Sequence, residues 1–292
     1  RWAVPGITSP DTEILTLPAK VEPPFSMQMR RIEQFPCRWF ATGLFCAVVA
    51  MISGCATAPV PPPGFVERTL RTDVFPILVW AKLSDSNAYI RVYIEGDGHA
   101  FNAFGRPSSD PTPKDTLVRR MAFGDPHPNV IYLARPCQFN TKVPACTKEV
   151  WTTARFSQAV IDAEVDALKE LAGNRETVLI GFSGGAQVAS LMSVLDKDLK
   201  VRKLVTVAGN LDHEAWCRQH KMPMLDGSLS LADFREEYIS IPQAHFVGEN
   251  DAVVNPFLTR EFIKDPGRIR EVKGASHAKG WDAAFPAIWE EN

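Results

Sequence analysis

From residue 65 onward, short apolar runs alternate with segments of helical spacing. Phe75–Leu83 and Tyr89–Glu95 are rich in β-branched and aromatic residues and are separated by a Ser-Asp-Ser-Asn turn, so both read as strands. Asn129–Ala134, Thr177–Gly181, Lys203–Ala208, Ala244–Gly248 and Arg268–Lys273 read as further strands. Between them, Phe156–Leu171 puts Val160, Ile161, Val165, Leu168 and Leu171 on one broad face, which predicts a helix stopped by Gly173-Asn174. Ala186–Leu195 and Trp281–Glu290 predict two more helices. Short apolar strands separated by helices imply an α/β fold, a mostly parallel sheet with helices on both faces.

The first part of the chain lacks this rhythm. Residues 1–26 carry prolines at 5, 10, 18, 23 and 24. Met27 and Met29 precede Arg30, Arg31 and Arg38, and an uncharged run from Trp39 to Gly54 follows. That run is shorter than the roughly 20 residues a membrane span needs. A basic region, a short apolar core and small residues, in that order, describe an export signal. Ile52-Ser53-Gly54-Cys55 resembles the lipobox of bacterial lipoproteins. The resemblance implies that Cys55 is diacylated on sulfur and becomes the new N-terminus. Ala56 to Gly64, with four prolines, then reads as a stiff tether. The expected organisation is an upstream segment over 1–26, a signal peptide over 27–54 translated from Met27 or Met29, a tether over 55–64 and one α/β domain over 65–292. Ala56, not Asp, follows the cysteine, so the resemblance implies a lipid anchor in the bacterial cell envelope, on the outer membrane facing the periplasm.

Composition narrows the partners. The 292 residues are 45% apolar and carry a formal net charge of −2, which excludes a wholly disordered chain and gives no basic balance for a nucleic-acid partner. The six cysteines are not spaced as paired zinc ligands, and no metal or cofactor is expected. Cleavage before Cys55 would remove Cys37 and Cys46, and Cys137, Cys146 and Cys217 remain besides the lipid-bearing Cys55. An exported protein permits a disulfide. Cys137–Cys146, across a short Pro-containing loop, is the sequence-local pairing; Cys217 could pair instead with either.

Gly181-Phe182-Ser183-Gly184-Gly185 fits G-x-S-x-G, with an apolar strand before it and a small-residue helix after it. Such a turn presents a serine hydroxyl above a sheet edge. A phosphate loop would want Lys after the glycines, and Ala186-Gln187 does not supply it. Here the chain resembles the α/β-hydrolase superfamily, over residues 75 to 292. The resemblance implies an acid after a later strand, a histidine after the last strand, and an oxyanion hole. Asp251, in Val247-Gly248-Glu249-Asn250-Asp251, takes the acid's place, with Glu249 and Asp212 as rivals. His277, in Gly274-Ala275-Ser276-His277, takes the base's place, and Ser183, Asp251, His277 is the family's order. The oxyanion hole would use the backbone N–H of Gly184 and one from Glu95-Gly96-Asp97-Gly98, where Glu95 stands at the family's histidine position. Asp97 is the expected donor, with Gly98 as the alternative. A carboxylate beside an oxyanion is unfavourable, so the Asp97 side chain is expected to point away.

The other histidines have plainer readings. His127 is in a Pro-rich turn, His245 lies in a strand, and His213 and His220 sit seven apart in a polar stretch. His99 lies near the oxyanion loop. The polar stretch Leu211–Pro242 stands where the family carries a cap, and about thirty residues is too short for a large lid. A small or absent cap is expected, with Trp216, Met222, Met224 and Phe234 either bounding the site or filling the core. The resemblance implies a serine hydrolase cutting an acyl bond of a small-molecule or polymer substrate through an acyl-enzyme. A carboxylic ester is the simplest substrate, a peptide or other amide the next, and a catalytically silent envelope binding module the alternative of a different class.

Overall fold

The structure, a computed structural model, describes residues 60–291. The signal peptide, Cys55 and the start of the tether lie outside them. Eight strands form one sheet: β1 (Val66–Arg71), β2 (Pro76–Leu83), β3 (Ile90–Ile94), β4 (Asn129–Leu133), β5 (Thr177–Phe182), β6 (Val201–Val207), β7 (Gln243–Gly248) and β8 (Ile269–Val272). Their spatial order is β1-β2-β4-β3-β5-β6-β7-β8. The β1–β2 and β2–β4 pairs are antiparallel and the other pairs are parallel. The fold is therefore the expected α/β-hydrolase arrangement.

Residue type decides where each strand lies. Every residue of β3, β4, β5 and β7 is buried, as a strand covered on both faces requires. β1 (VERTLR) and β8 (IREV) are mostly exposed, and their charges protect the sheet edges from pairing with other chains. On one face, α2 (Gln158–Ala172) and α3 (Gly184–Leu195) pack Ile161, Leu168, Val188 and Leu191 against Val79, Val92, Ile131 and Leu179. On the other, α1 (Leu117–Gly124), Trp281 and α7 (Phe285–Glu290) cover Trp80, Tyr93, Tyr132 and Val205.

Several elements depart from the pattern read above. β1 was not expected, because it buries only Leu70 and so lacks an apolar alternation. α1 was not expected either; Arg119-Arg120 splits its apolar pairs Leu117-Val118 and Met121-Ala122. A further helix, α6 (Pro256–Ile263), begins at a proline that fits the first helical turn, where no backbone N–H is needed. Residues 211–242 are ordered: α4 (His213–His220), a 3-10 turn at Leu231–Phe234 and α5 (Arg235–Ser240) form a small cap region. Cys137 and Cys146 form a disulfide, and Cys217 is a buried free thiol on α4.

Candidate active site

All the candidate groups project from the C-terminal ends of the parallel strands, where open α/β sheets place their ligand crevice. β5 ends in a sharp turn into α3. Ser183 sits at that turn with φ 52° and ψ −121°, a conformation costly for a residue with a Cβ. The turn is held from three sides. Ser183 N–H donates to the Val207 carbonyl at 3.0 Å, and the Ser183 carbonyl accepts from Asn210 N–H at 3.0 Å and Ala186 N–H at 3.1 Å. Helix and strand cross so closely that a methyl at Gly181 would overlap the Gly185 carbonyl and the Ala186 backbone.

His277 and Asp251 complete a chain of contacts with this serine. His277 Nε2 lies 2.9 Å from Ser183 Oγ, and His277 Nδ1 lies 2.9 Å from Asp251 Oδ2. The Asp251 side chain is fully buried, and its Oδ1 accepts from Val253 N–H and Val254 N–H, both at 2.9 Å. The carboxylate is thus oriented by backbone before it meets the imidazole. The histidine loop is anchored from below: Trp281, fully buried, donates Nε1–H to the Ser276 carbonyl at 2.8 Å. Asn250 N–H donates to the Ala275 carbonyl at 2.8 Å and ties the acid and histidine loops together.

The rival acids have other partners. Glu249 Oε2 accepts from Gly274 N–H at 2.8 Å, and Asp212 Oδ1 accepts from Ala215 N–H at 2.8 Å as the cap of α4. The remaining histidines also separate. His213 is buried with Nδ1 2.8 Å from Gln187, and His220 Nε2 lies 2.9 Å from the Val253 carbonyl. His245 is buried between Thr206 and Gln243, His127 sits against Asn129, and His99 lies 2.9 Å from Lys114 Nζ.

The loop after β3 borders the serine on its other side. Gln138 Nε2 donates to the Gly96 carbonyl at 2.9 Å, and His99 N–H donates to the Pro111 carbonyl at 2.9 Å. Among the described residues, no protein group accepts from the backbone N–H of Asp97 or Gly184. Glu95 is buried under this loop and receives Tyr132 Oη–H at 2.7 Å and Gly96 N–H at 3.0 Å. Burial outweighs both hydrogen bonds and raises its carboxyl to about 7.

The expectation for the Asp97 side chain is not met. Its carboxylate packs on the Gly184 Cα, so that a methyl there would collide with it. It stays there because two arginines receive it: Arg155 Nε at 3.1 Å from Oδ2 and Arg135 at 3.5 Å from Oδ1. Arg135 Nε also lies 2.9 Å from Glu164 Oε1 on α2. Arg135, Arg155 and Glu164 were not singled out from the sequence. One signal was available, since Glu164 falls on the apolar face between Ile161 and Leu168.

Ser183, His277, Asp97, Asn210, Arg155, Trp216 and Val253 are among the residues that line one cleft of about 260 Å³. Of the four residues considered for its border, Trp216 reaches it. Met222 and Met224 stand exposed, and Phe234 packs on the core.

Comparisons with known proteins give a family match over part of the chain and several likenesses of fold. Residues 143–272 match the serine hydrolase (FSH1) family, a span that holds Ser183, Gly184 and Asp251 and ends before His277. No curated protein sequence matches the chain. Among solved structures, an α-β serine hydrolase homologue from Coxiella burnetii aligns with a TM-score of 0.51 at 16% identity, over 77% of this chain and 94% of that one. Est1E from Butyrivibrio proteoclasticus gives 0.51 at 14% identity, over 77% and 94%. The esterase domain of a Rhodothermus marinus protein gives 0.53 at 12% identity, over 77% and 95%. At these identities the likeness establishes the fold. Together with the family match over the nucleophile turn, it supports an α/β-hydrolase-type enzyme.

Proposed function

We propose that the protein is a serine hydrolase that cleaves an acyl bond, most simply a carboxylic ester, through an acyl-enzyme on Ser183. The observation that carries this reading is the unbroken chain from Ser183 Oγ through His277 to a buried, backbone-oriented Asp251. In the resting enzyme His277 Nδ1–H donates to Asp251, which leaves Nε2 free to accept from the serine hydroxyl. As Oγ bonds to the acyl carbon, its proton passes to Nε2, and Asp251 stabilises the resulting imidazolium. The carbonyl oxygen takes up the negative charge and accepts from Gly184 N–H and Asp97 N–H, donors that need no reorganisation. Collapse breaks the ester C–O bond, and the departing alcohol takes the proton from Nε2. Water then repeats the cycle on the acyl-enzyme and releases the carboxylic acid.

A fluorophosphonate probe tests the reading. Labelling of the folded protein that disappears in Ser183→Ala supports it. An unlabelled wild type would leave the binding-module alternative standing. Relative rates on short p-nitrophenyl esters and the matching anilides separate ester from amide hydrolysis; the reading expects esters to be faster.

Location belongs to the same proposal. The lipobox at Cys55 would place the enzyme on the bacterial envelope, with two or more acyl chains for stable anchoring. Intact-mass analysis of detergent-extracted protein should give a diacylated N-terminal cysteine; an unmodified start upstream of it would overturn the anchor.

A further inference from the structure

The carboxylate of Asp97 lies where acyl-transfer chemistry should not tolerate one. It rests on Gly184, next to the nucleophile, beside the position at which the oxyanion forms in the reading above. An unbalanced carboxylate within a few ångströms of a developing oxyanion, at an effective dielectric near 20, would slow acyl transfer by on the order of a hundredfold. The structure supplies the balance. Arg155, 3% exposed, lies with Nε 3.1 Å from Asp97 Oδ2, and its guanidinium sits 5.4 Å from the Phe156 ring centre and 5.7 Å from that of Trp216. Arg135, 5% exposed, approaches the other Asp97 oxygen and hydrogen-bonds the Arg155 carbonyl. The second carboxylate of the cluster, Glu164, is pushed up to about 8 by burial, so it opposes Arg135 less than a free carboxylate would.

We propose that Arg155, backed by Arg135, is a positioning residue of the oxyanion hole. It pins the Asp97 side chain against Gly184, which fixes the Asp97 N–H at the oxyanion, and it cancels the charge that would otherwise repel the transition state. This inference rests on the reading of Ser183, Gly184 and Asp97 as an acyl-transfer site. Arg155 touches neither the nucleophile nor the base, and it acts through Asp97.

A charge-rescue cycle on the full-length protein tests it, read as kcat and KM on a neutral p-nitrophenyl ester and as the rate of fluorophosphonate labelling. Arg155→Gln should lower kcat about a hundredfold, about tenfold from the lost pin and about tenfold from a carboxylate that Arg135 alone, 3.5 Å away, only partly balances, with KM within about threefold of wild type. Asp97→Asn should cost about tenfold, from the lost pin. The double variant should be about tenfold faster than Arg155→Gln, because the partly balanced carboxylate is gone and only the lost pin remains. A double variant as slow as Arg155→Gln, or an effect of Arg155→Gln on KM alone, would overturn the proposal; the second outcome would make Arg155 a substrate contact. Should Arg155→Gln fail to fold, Arg155→Lys decides, since it keeps the charge: a loss under tenfold supports the inference and a loss near a hundredfold sinks it. A wild type that the probe does not label fails the underlying reading instead, so the two failures are distinguishable.

Discussion

The two strand exits that border the cleft are built in opposite ways. At the end of β5, the serine turn is made by five consecutive residues whose glycines permit the close approach of strand and helix, and Val207 and Asn210 brace the strained Ser183 backbone. At the end of β3, the loop carrying Asp97 is held by groups from elsewhere in the chain: Gln138, Pro111, Arg135 and Arg155. The first exit is set chiefly by the residues of one segment, with two backbone braces from the end of β6, and the second by a tertiary charge cluster. The comparison teaches that a nucleophile can be specified by a short segment, whereas the environment of its oxyanion depends on the whole upper edge of the sheet.

The largest expected effect concerns the triad, whose members come from three exits yet make a single chain of contacts. Asp251→Asn leaves the backbone N–H donors at Val253 and Val254 with an acceptor but disturbs the tautomer of His277. We expect kcat to fall about 10⁴-fold with little change in the melting temperature. Glu249→Gln and Asp212→Asn, which alter a loop staple and a helix cap, should each cost less than about tenfold. Steady-state kinetics on a p-nitrophenyl ester check this, and a larger loss in Asp212→Asn would move the acid to the end of β6.

Gly181→Ala probes the local exit. The added methyl meets backbone of Gly185 and Ala186, which cannot rotate away. Overpacking of this kind costs about 3 kcal/mol, and the displaced elbow should also lose labelling by the probe. Chemical denaturation gives the first quantity. A variant with wild-type stability and activity would show that the β5 exit is not as tightly specified as its geometry implies.

The same contrast explains what could be read from the amino-acid sequence. The serine turn, Asp251, His277 and the buried strands were visible because each depends on neighbours in sequence, on chain order or on an apolar run. β1 escaped because an edge strand with one buried side chain has no period to detect. α6 escaped because Pro256 resembles a break until Asn255 is seen capping Phe257 N–H at 2.9 Å. The fate of the Asp97 side chain was misjudged for a physical reason: its partners lie 38 and 58 residues downstream, and no local pattern announces an arginine that will return to neutralise it.

The tertiary exit can be loosened without touching its charges. Gln138, which holds the Gly96 carbonyl, sits between Cys137 and Phe139, both at positive φ, and Cys137 is tied to Cys146. Replacing both cysteines by serine should cost about 2.5 kcal/mol for so short a loop. It should also lower kcat about tenfold with KM preserved, because Gln138 loses its fixed perch while the nucleophile turn is untouched. Unchanged kcat in a destabilised variant would mean that the disulfide supports the fold alone.

The smallest expected effect on catalysis, though not on stability, comes from a test of whether the β3 exit carries a surplus of positive charge. Burial raises the Glu164 carboxyl from its ordinary value of 4.5 to about 8, despite Arg135 at 2.9 Å. Between those two values the folded protein holds a proton that the unfolded chain has lost. Stability from this group is therefore full below about pH 4.5 and declines as pH rises towards 8, by at most about 1.4 kcal/mol per pH unit. Glutamine cannot ionise, so Glu164→Gln removes that slope. Glu95, raised to about 7 by its own burial, contributes a slope of the same sign to both proteins and cancels in the comparison. The stability difference, measured by urea unfolding from pH 5 to 8, should shift steadily in favour of the glutamine variant. Parallel curves would mean that Arg135 keeps Glu164 ionised. The cluster would then consist of two matched ion pairs, and Arg155 would be the sole counter-charge available to Asp97.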